Sequence, residues 1–215
     1  MSSYINPSAK VARRQTVAWI ILLVLTAGLT FAAARFPRFP GDVQVARLVQ
    51  SLALGHTWAQ WVTATAKAPL SYVLLGITLV AALFLSGWRA AFLSIPSFCG
   101  VLLFDPALKS WIARPRPSAA LIHVVGSNPG SSMPSTFALV YASTFGFLAL
   151  MCLMESRLSK GGRVAVLIPC LGLLVMGGIA RIVLGGHWPS DILLSYLIGF
   201  LWVTLLLGLM KALSK

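Results

Sequence analysis

Six long apolar stretches divide the chain, at residues 17–34, 70–87, 90–112, 134–154, 164–184 and 190–210. Each is close to the roughly 20 residues a helix needs to cross a bilayer. Pro69 precedes the second stretch, Pro134 opens the fourth and Pro189 precedes the sixth. A proline suits the first helical position, where its missing N–H costs nothing. The segment 42–67 differs. Val45, Leu48, Val49 and Leu52 recur at helical spacing, with Arg47, Gln50 and Ser51 between them and Trp58 and Trp61 after them. This pattern predicts a helix lying in the membrane interface, or the wet start of the second span. The first stretch ends in Ala32-Ala33-Ala34, which also reads as a cleavage site, but it exceeds the roughly 7–15 apolar residues of a signal peptide. The predicted fold class is all-α: a polytopic membrane helix bundle with six transmembrane helices and a short interfacial helix, one integral membrane domain over 1–215.

Composition agrees with this pattern. Of the 215 residues, 58% are hydrophobic and 10% charged, against roughly 45–50% and about 25% in soluble domains. Mean hydropathy is +0.88. The net charge of +13 points to basic helix flanks and not to nucleic acid, since no basic run is interleaved with aromatics. Lys10, Arg13, Arg14, Arg89, Arg157, Lys160, Arg163, Lys211 and Lys215 collect on one side. That side is expected to be cytoplasmic, with both termini, in a bacterial-type plasma (inner) membrane. Cys99, Cys152 and Cys170 each lie in an apolar run and imply no disulfide framework. Small residues such as Gly28, Ala32, Gly172, Gly177 and Gly178 suit helix packing within one chain as well as between chains.

Polar residues gather in three places, all on the expected outer side. Lys109, Arg114 and Arg116 follow the third span, with Asp105 four residues before Lys109. A helix continued through Arg116 puts Lys109 and Arg116 on one face, two turns apart. Such cations repel unless an anion sits among them; the alternative is a basic helix end snorkelling to headgroups. The run Gly130-Ser131-Ser132-Met133-Pro134-Ser135-Thr136 enters the fourth span. Helix-start amides there, with Ser132 and Ser135 hydroxyls, suit an anion or an ordinary N-cap. The third place holds Arg181, His187 and Asp191 around Pro189. An Asp accepting from one imidazole nitrogen leaves the other free to attack; lone His–Asp pairs also serve structure. Together these segments supply cations, amides and an oriented His, a phosphate site with a nucleophile. The three His and four carboxylates form no metal-ligand cluster. No Walker loop or G-x-S-x-G elbow is present, and no cofactor is expected.

The sequence resembles the type 2 phosphatidic acid phosphatase superfamily of membrane lipid phosphatases, over roughly residues 70–210. That family carries K-x6-R-P, P-S-G-H and S-R-x5-H-x3-D in order. Lys109, Arg116 and Pro117 match the first motif; Arg181, His187 and Asp191 match the third, with Ala180 for its Ser. The resemblance implies a helical core with its site at the outer face. It implies that Lys109, Arg116 and Arg181 bind phosphate. It implies that His187, aided by Asp191, attacks phosphorus to give a phosphohistidine that water hydrolyses, without metal. The partner is then a phosphorylated membrane lipid.

The middle motif reads Pro134-Ser135-Thr136-Phe137, so Phe137 stands where the family has its proton-donating His. General acid catalysis contributes about 10²–10⁴-fold. An alkoxide leaving group needs that proton; a phosphate leaves as a stable anion. This favours a lipid pyrophosphate, such as undecaprenyl pyrophosphate, over phosphatidic acid. Two alternatives remain: His123 supplies the proton, or the protein binds or moves phosphorylated lipid without turnover. The phosphoryl group has two possible acceptors, water and a second lipid. A channel fits less well, because the cations gather at one face.

Overall fold

The computed structural model describes residues 7–127, 129–155 and 158–213, with side chains described between 16 and 212. The described residues are helical, with no strand among them. Their order is α1 (Pro7–Arg35), α2 (Asp42–Ser51), α3 (Thr57–Thr65), α4 (Leu70–Ser86), α5 (Trp88–Ile112), α6 (Thr136–Tyr141), a π turn (Ala142–Gly146), α7 (Phe147–Met154), α8 (Lys160–Val183) and α9 (Pro189–Leu213).

Five segments are long and apolar enough to cross a membrane: Thr16–Arg35, Trp88–Ile112, Thr136–Met154, Lys160–Val183 and Pro189–Ala212. The expected second span is interrupted before Leu70. At 17 residues, α4 is about 25 Å long, short of the roughly 30 Å hydrocarbon core. Taken with α3 it has the length and apolarity of a sixth, bent by 65° at the break, the shape of a broken span or of a re-entrant loop. The segment 42–67, expected as one interfacial helix or the start of the second span, is thus two helices. Of these, α2 is not among the candidate spans, and α3 leads to α4 through the 65° bend.

Chain direction sends the loops after α1, α3, α5 and α8 to one end of the bundle, called here the site end. Arg89, Lys160, Arg163 and Lys211 flank the opposite end. Of the other residues in that basic flank, Arg157 and Lys215 lie outside the described residues, as do the side chains of Lys10, Arg13 and Arg14.

The α6–π–α7 rod is the axis of the bundle. Within it 78% of the spanning window is buried, against 17% in α1. Toward the site end Phe137, Val140 and Tyr141 pack with Phe98 of α5 and Leu174 of α8. Toward the other end Phe147, Leu148 and Met151 pack with Val203 and Leu207 of α9. Hydroxyls inside this rod are satisfied, as a bilayer interior requires. Ser97 Oγ donates to the Ser143 carbonyl at 2.9 Å, and Thr144 Oγ1 to the Val140 carbonyl at 2.8 Å. Peripheral α1 is tied on by Trp19 Nε1, which donates to Thr204 Oγ1 of α9 at 2.9 Å.

The rod begins later than the apolar pattern suggested. Ser135 Oγ accepts from the Ala138 amide, so Ser135 is the N-cap and Thr136 the first helical residue. Pro134 therefore precedes the helix and does not open it. By contrast, Pro189 does stand first in α9.

Candidate active site

At the site end α5 stops at Ile112. Ala113 turns into the left-handed region at φ 47°, its amide donating to the Lys109 carbonyl. Arg114 to Pro117 then run on without helix, so Lys109 and Arg116 do not share a helix face as the spacing suggested. Lys109 stays on α5. Its Nζ lies 2.8 Å from Asp105 Oδ2, the expected pairing one turn back. It also contacts Thr136 Oγ1, which donates to the same carboxylate oxygen at 2.7 Å.

Arg116 reaches instead toward the loop after α8. Its Nη1 donates to the Gly186 carbonyl at 2.6 Å and lies 3.4 Å from His187 Nε2; its Nε donates to the Gly130 carbonyl at 3.2 Å. The 184–187 turn has little room. A Cβ on Gly185, which sits at φ +63°, would fall 2.1 Å from the His123 carbonyl oxygen. That position needs glycine for both backbone conformation and space.

His187 is buried. Its Nδ1 lies 2.6 Å from the Ser132 carbonyl oxygen, so Nδ1 carries the proton and Nε2 keeps its lone pair. Asp191 had been expected to accept from this ring, and the structure corrects that. The Asp191 carboxylate takes the Arg114 guanidinium and the Ser132 hydroxyl, with the Trp188 amide at 3.0 Å. It holds the loop whose carbonyl holds the imidazole. Burial, then the nearby Arg181 and Arg116 charges, push the His187 pKa well below its usual value; the Ser132 carbonyl opposes this weakly. The ring is neutral near pH 7, the state a nucleophile needs.

Arg114, considered as a phosphate ligand, is behind the site. Its side chain is fully buried between Asp191 and Asp42, with Nη2 3.3 Å from Asp42 Oδ2. It also donates to Ser190 Oγ at 3.0 Å and to the Phe36 carbonyl at 3.2 Å. Asp42 in turn accepts from the Ser190 amide and hydroxyl at 3.0 and 2.8 Å, and from the Phe39 amide at 2.7 Å. Asp42 was missed in the sequence because it reads as the first residue of a surface helix.

A cavity of about 510 Å³ opens beside His187. Arg116, Arg181, Thr136, Lys67 and Phe137 share its wall, with Ala66, Ala68, Tyr72 and Leu102 on the apolar side. Arg181 is buried. Its Nη1 is 3.4 Å from Thr63 Oγ1 and its Nε has no hydrogen-bond partner among the described residues. Lys109 adjoins the cavity through Thr136. Ser135 and Ser132, expected as hydroxyl donors to the anion, are fully buried outside the lining. Ser135 caps the helix while its amide donates to Ser195 Oγ at 2.8 Å; Ser132 serves Asp191. Thr136, overlooked in the sequence, supplies the hydroxyl there instead. His123 does not line this cavity. It stacks on His56 with ring centroids 5.1 Å apart and borders a separate cavity with Arg47 and Gln50. Phe137 stacks on Tyr141 at 4.1 Å and brings no proton to the cavity.

Fold and site together define a multi-pass membrane protein with an imidazole among cations at one end of a helix bundle. The family model of the PAP2 superfamily matches residues 71–215, and the chain belongs to that superfamily. No functionally curated protein matches the sequence. Among solved structures, it is similar to the first transmembrane PAP2-type phosphatidylglycerolphosphate phosphatase from Bacillus subtilis. The identity is 20%, the TM-score 0.69, and the match covers 88% of this chain and 96% of that one. At this identity the likeness concerns the fold.

Two outcomes follow. Arg114→Met leaves two buried carboxylates facing each other, so it should destabilise the protein by about 3–5 kcal/mol, read as a lower unfolding temperature in detergent. Arg181→Gln removes a positive charge that depresses the His187 pKa. The acid limb of kcat/KM, below pH 6.5 in the parent, should therefore move to higher pH; an unmoved limb contradicts the assignment.

Proposed function

We propose that this protein is a membrane lipid phosphatase that works through a phosphohistidine on His187 and prefers a lipid pyrophosphate, such as undecaprenyl pyrophosphate. The observation that carries the reading is His187 itself. Its Nδ1 is bound to the Ser132 carbonyl, its unprotonated Nε2 lies 3.4 Å from Arg116 Nη1, and the ring lines a cavity with Arg116 and Arg181. Nε2 attacks phosphorus, an N–P bond forms, and the P–O bond to the leaving group breaks. Water then cleaves the N–P bond. Arg116 and Arg181 take the phosphoryl oxygens, with Lys109 adjoining through Thr136. Fixed cations of this kind stabilise the developing charge without reorganisation, so this route calls on no metal or cofactor. Asp191 contributes by positioning, through Ser132. The apolar wall receives the start of the lipid chain.

Phe137 sets the substrate preference. It leaves the cavity without an imidazole acid at the leaving-group side, which penalises an alkoxide far more than a phosphate. The excess of basic residues at the opposite end supports cytoplasmic termini and an outward-facing site, in a bacterial-type plasma membrane. Phe137 also favours a second reading, a weakened family member that binds or moves phosphorylated lipid.

Phosphate release by the detergent-solubilised protein separates the two. Release is expected from a polyprenyl pyrophosphate, weakly from phosphatidic acid, and from neither after His187→Ala. Phe137→His should raise phosphatidic acid turnover by about 10²-fold or more, the usual worth of a general acid. Binding without release from either lipid would leave the second reading.

A further inference from the structure

The cavity holds one more cation than a phosphate monoester calls for. Lys67 lies where α3 and α4 meet at their 65° bend, and it lines the same cavity as Arg116, Arg181, Thr136 and His187. It enters from the α3–α4 side, whereas Arg116 and His187 come from the loops after α5 and α8.

The chain has four acidic residues, and none answers Lys67. Asp42 and Asp191 face Arg114, and Asp105 faces Lys109. Glu155 accepts from Ser86 Oγ, at the far end of α4 and about 25 Å from the bend. Asp105 thus offsets the charge of Lys109, while Arg116, Arg181 and Lys67 make no ion pair among the described residues, beside a neutral His187. Arg181 Nε is also buried without a hydrogen-bond partner among the described residues. Three cations without an ion-pair partner suit an anion richer in charge than a monoester, which carries about −1.5 to −2 at neutral pH.

We propose that Lys67 binds the leaving phosphate of a lipid diphosphate and so determines specificity for diphosphates over monoesters. This rests on the phosphohistidine reading above. His187 Nε2 attacks the terminal phosphorus, and the bond from that phosphorus to the bridging oxygen breaks. The electron pair stays on the bridging oxygen, which departs as part of a lipid monophosphate. The new charge on that product meets the Lys67 ammonium, and no proton is transferred to the leaving oxygen. The arrangement accounts for Phe137 and Lys67 together: a diphosphate needs a cation at its inner phosphate, not an acid at its leaving oxygen. A monoester has no inner phosphate for Lys67 to hold.

The test compares Lys67→Met and Lys67→Arg with the parent, full-length and in detergent, on polyprenyl diphosphate and on phosphatidic acid. The ratio of kcat/KM for diphosphate to kcat/KM for monoester should fall about tenfold to a hundredfold in Lys67→Met, the range for one charge-assisted hydrogen bond. Lys67→Arg should recover most of it. An unchanged ratio, whether both activities fall together or neither falls, overturns the proposal. Calorimetric binding of inorganic pyrophosphate against orthophosphate reads the same selectivity without turnover and without dependence on lipid presentation. His187→Ala keeps the two claims apart. Turnover surviving in His187→Ala removes the phosphohistidine reading, whereas an inactive His187→Ala with the parent's selectivity unchanged in Lys67→Met removes only the role of Lys67.

Discussion

The site end of this bundle depends on one buried guanidinium held between two carboxylates. Arg114 sits between Asp42 and Asp191, and all three side chains are almost wholly out of solvent. A lone charge of either sign would be prohibitive there. The cluster is tolerable because each oxygen is also met: Asp42 by Ser190 and the Phe39 amide, Asp191 by Ser132 and the Trp188 amide. These partners come from the loop after α1, the loop after α5, the approach to α6 and the first turn of α9. One ion cluster therefore fixes four chain segments that lipid packing alone would leave free to shift.

The chemistry inherits its geometry from that cluster. Asp191 does not touch the imidazole. It holds Ser132, whose carbonyl fixes the Nδ1 proton of His187, and so leaves Nε2 beside Arg116. The acidic residues near the site are all engaged by Arg114 or Lys109. Arg116 and Arg181 are left lining the cavity with no ion pair among the described residues, a field that lowers the affinity of His187 for a second proton and raises that of the cavity for an anion. Nucleophile and anion site are two consequences of the same distribution of carboxylates.

Much of this was legible in the sequence, for definable reasons. Spanning helices follow from hydropathy because lipid rewards apolar length, and the helix limits agree with the apolar stretches to within a few residues, apart from the longer start of α1. Lys109, Arg116, Arg181 and His187 converge because they stand at helix ends or in loops that the bundle must gather at one end. Hydrogen-bond partners were another matter. Ser132, Ser135 and Arg114 resemble anion ligands in one dimension, but their partners are 17 or more residues away in sequence or spent on a helix cap. Asp42 reads as an interfacial helix start, and Lys67 has no meaning in the sequence until the fold sets it beside the cavity at the bend between α3 and α4. His123 sits on a separate cavity because its carbonyl lies against Gly185 while its ring turns to His56.

The central claim is a covalent intermediate on His187, and trapping it is the most direct test. The protein would be mixed with a polyprenyl diphosphate bearing a radiolabelled terminal phosphate, quenched in alkali within milliseconds to seconds, and its phosphoamino acids separated. The account predicts an acid-labile, alkali-stable phosphoryl group on His187, absent from His187→Ala. Substrate turnover with no labelled protein, or a label that persists in His187→Ala, would contradict it.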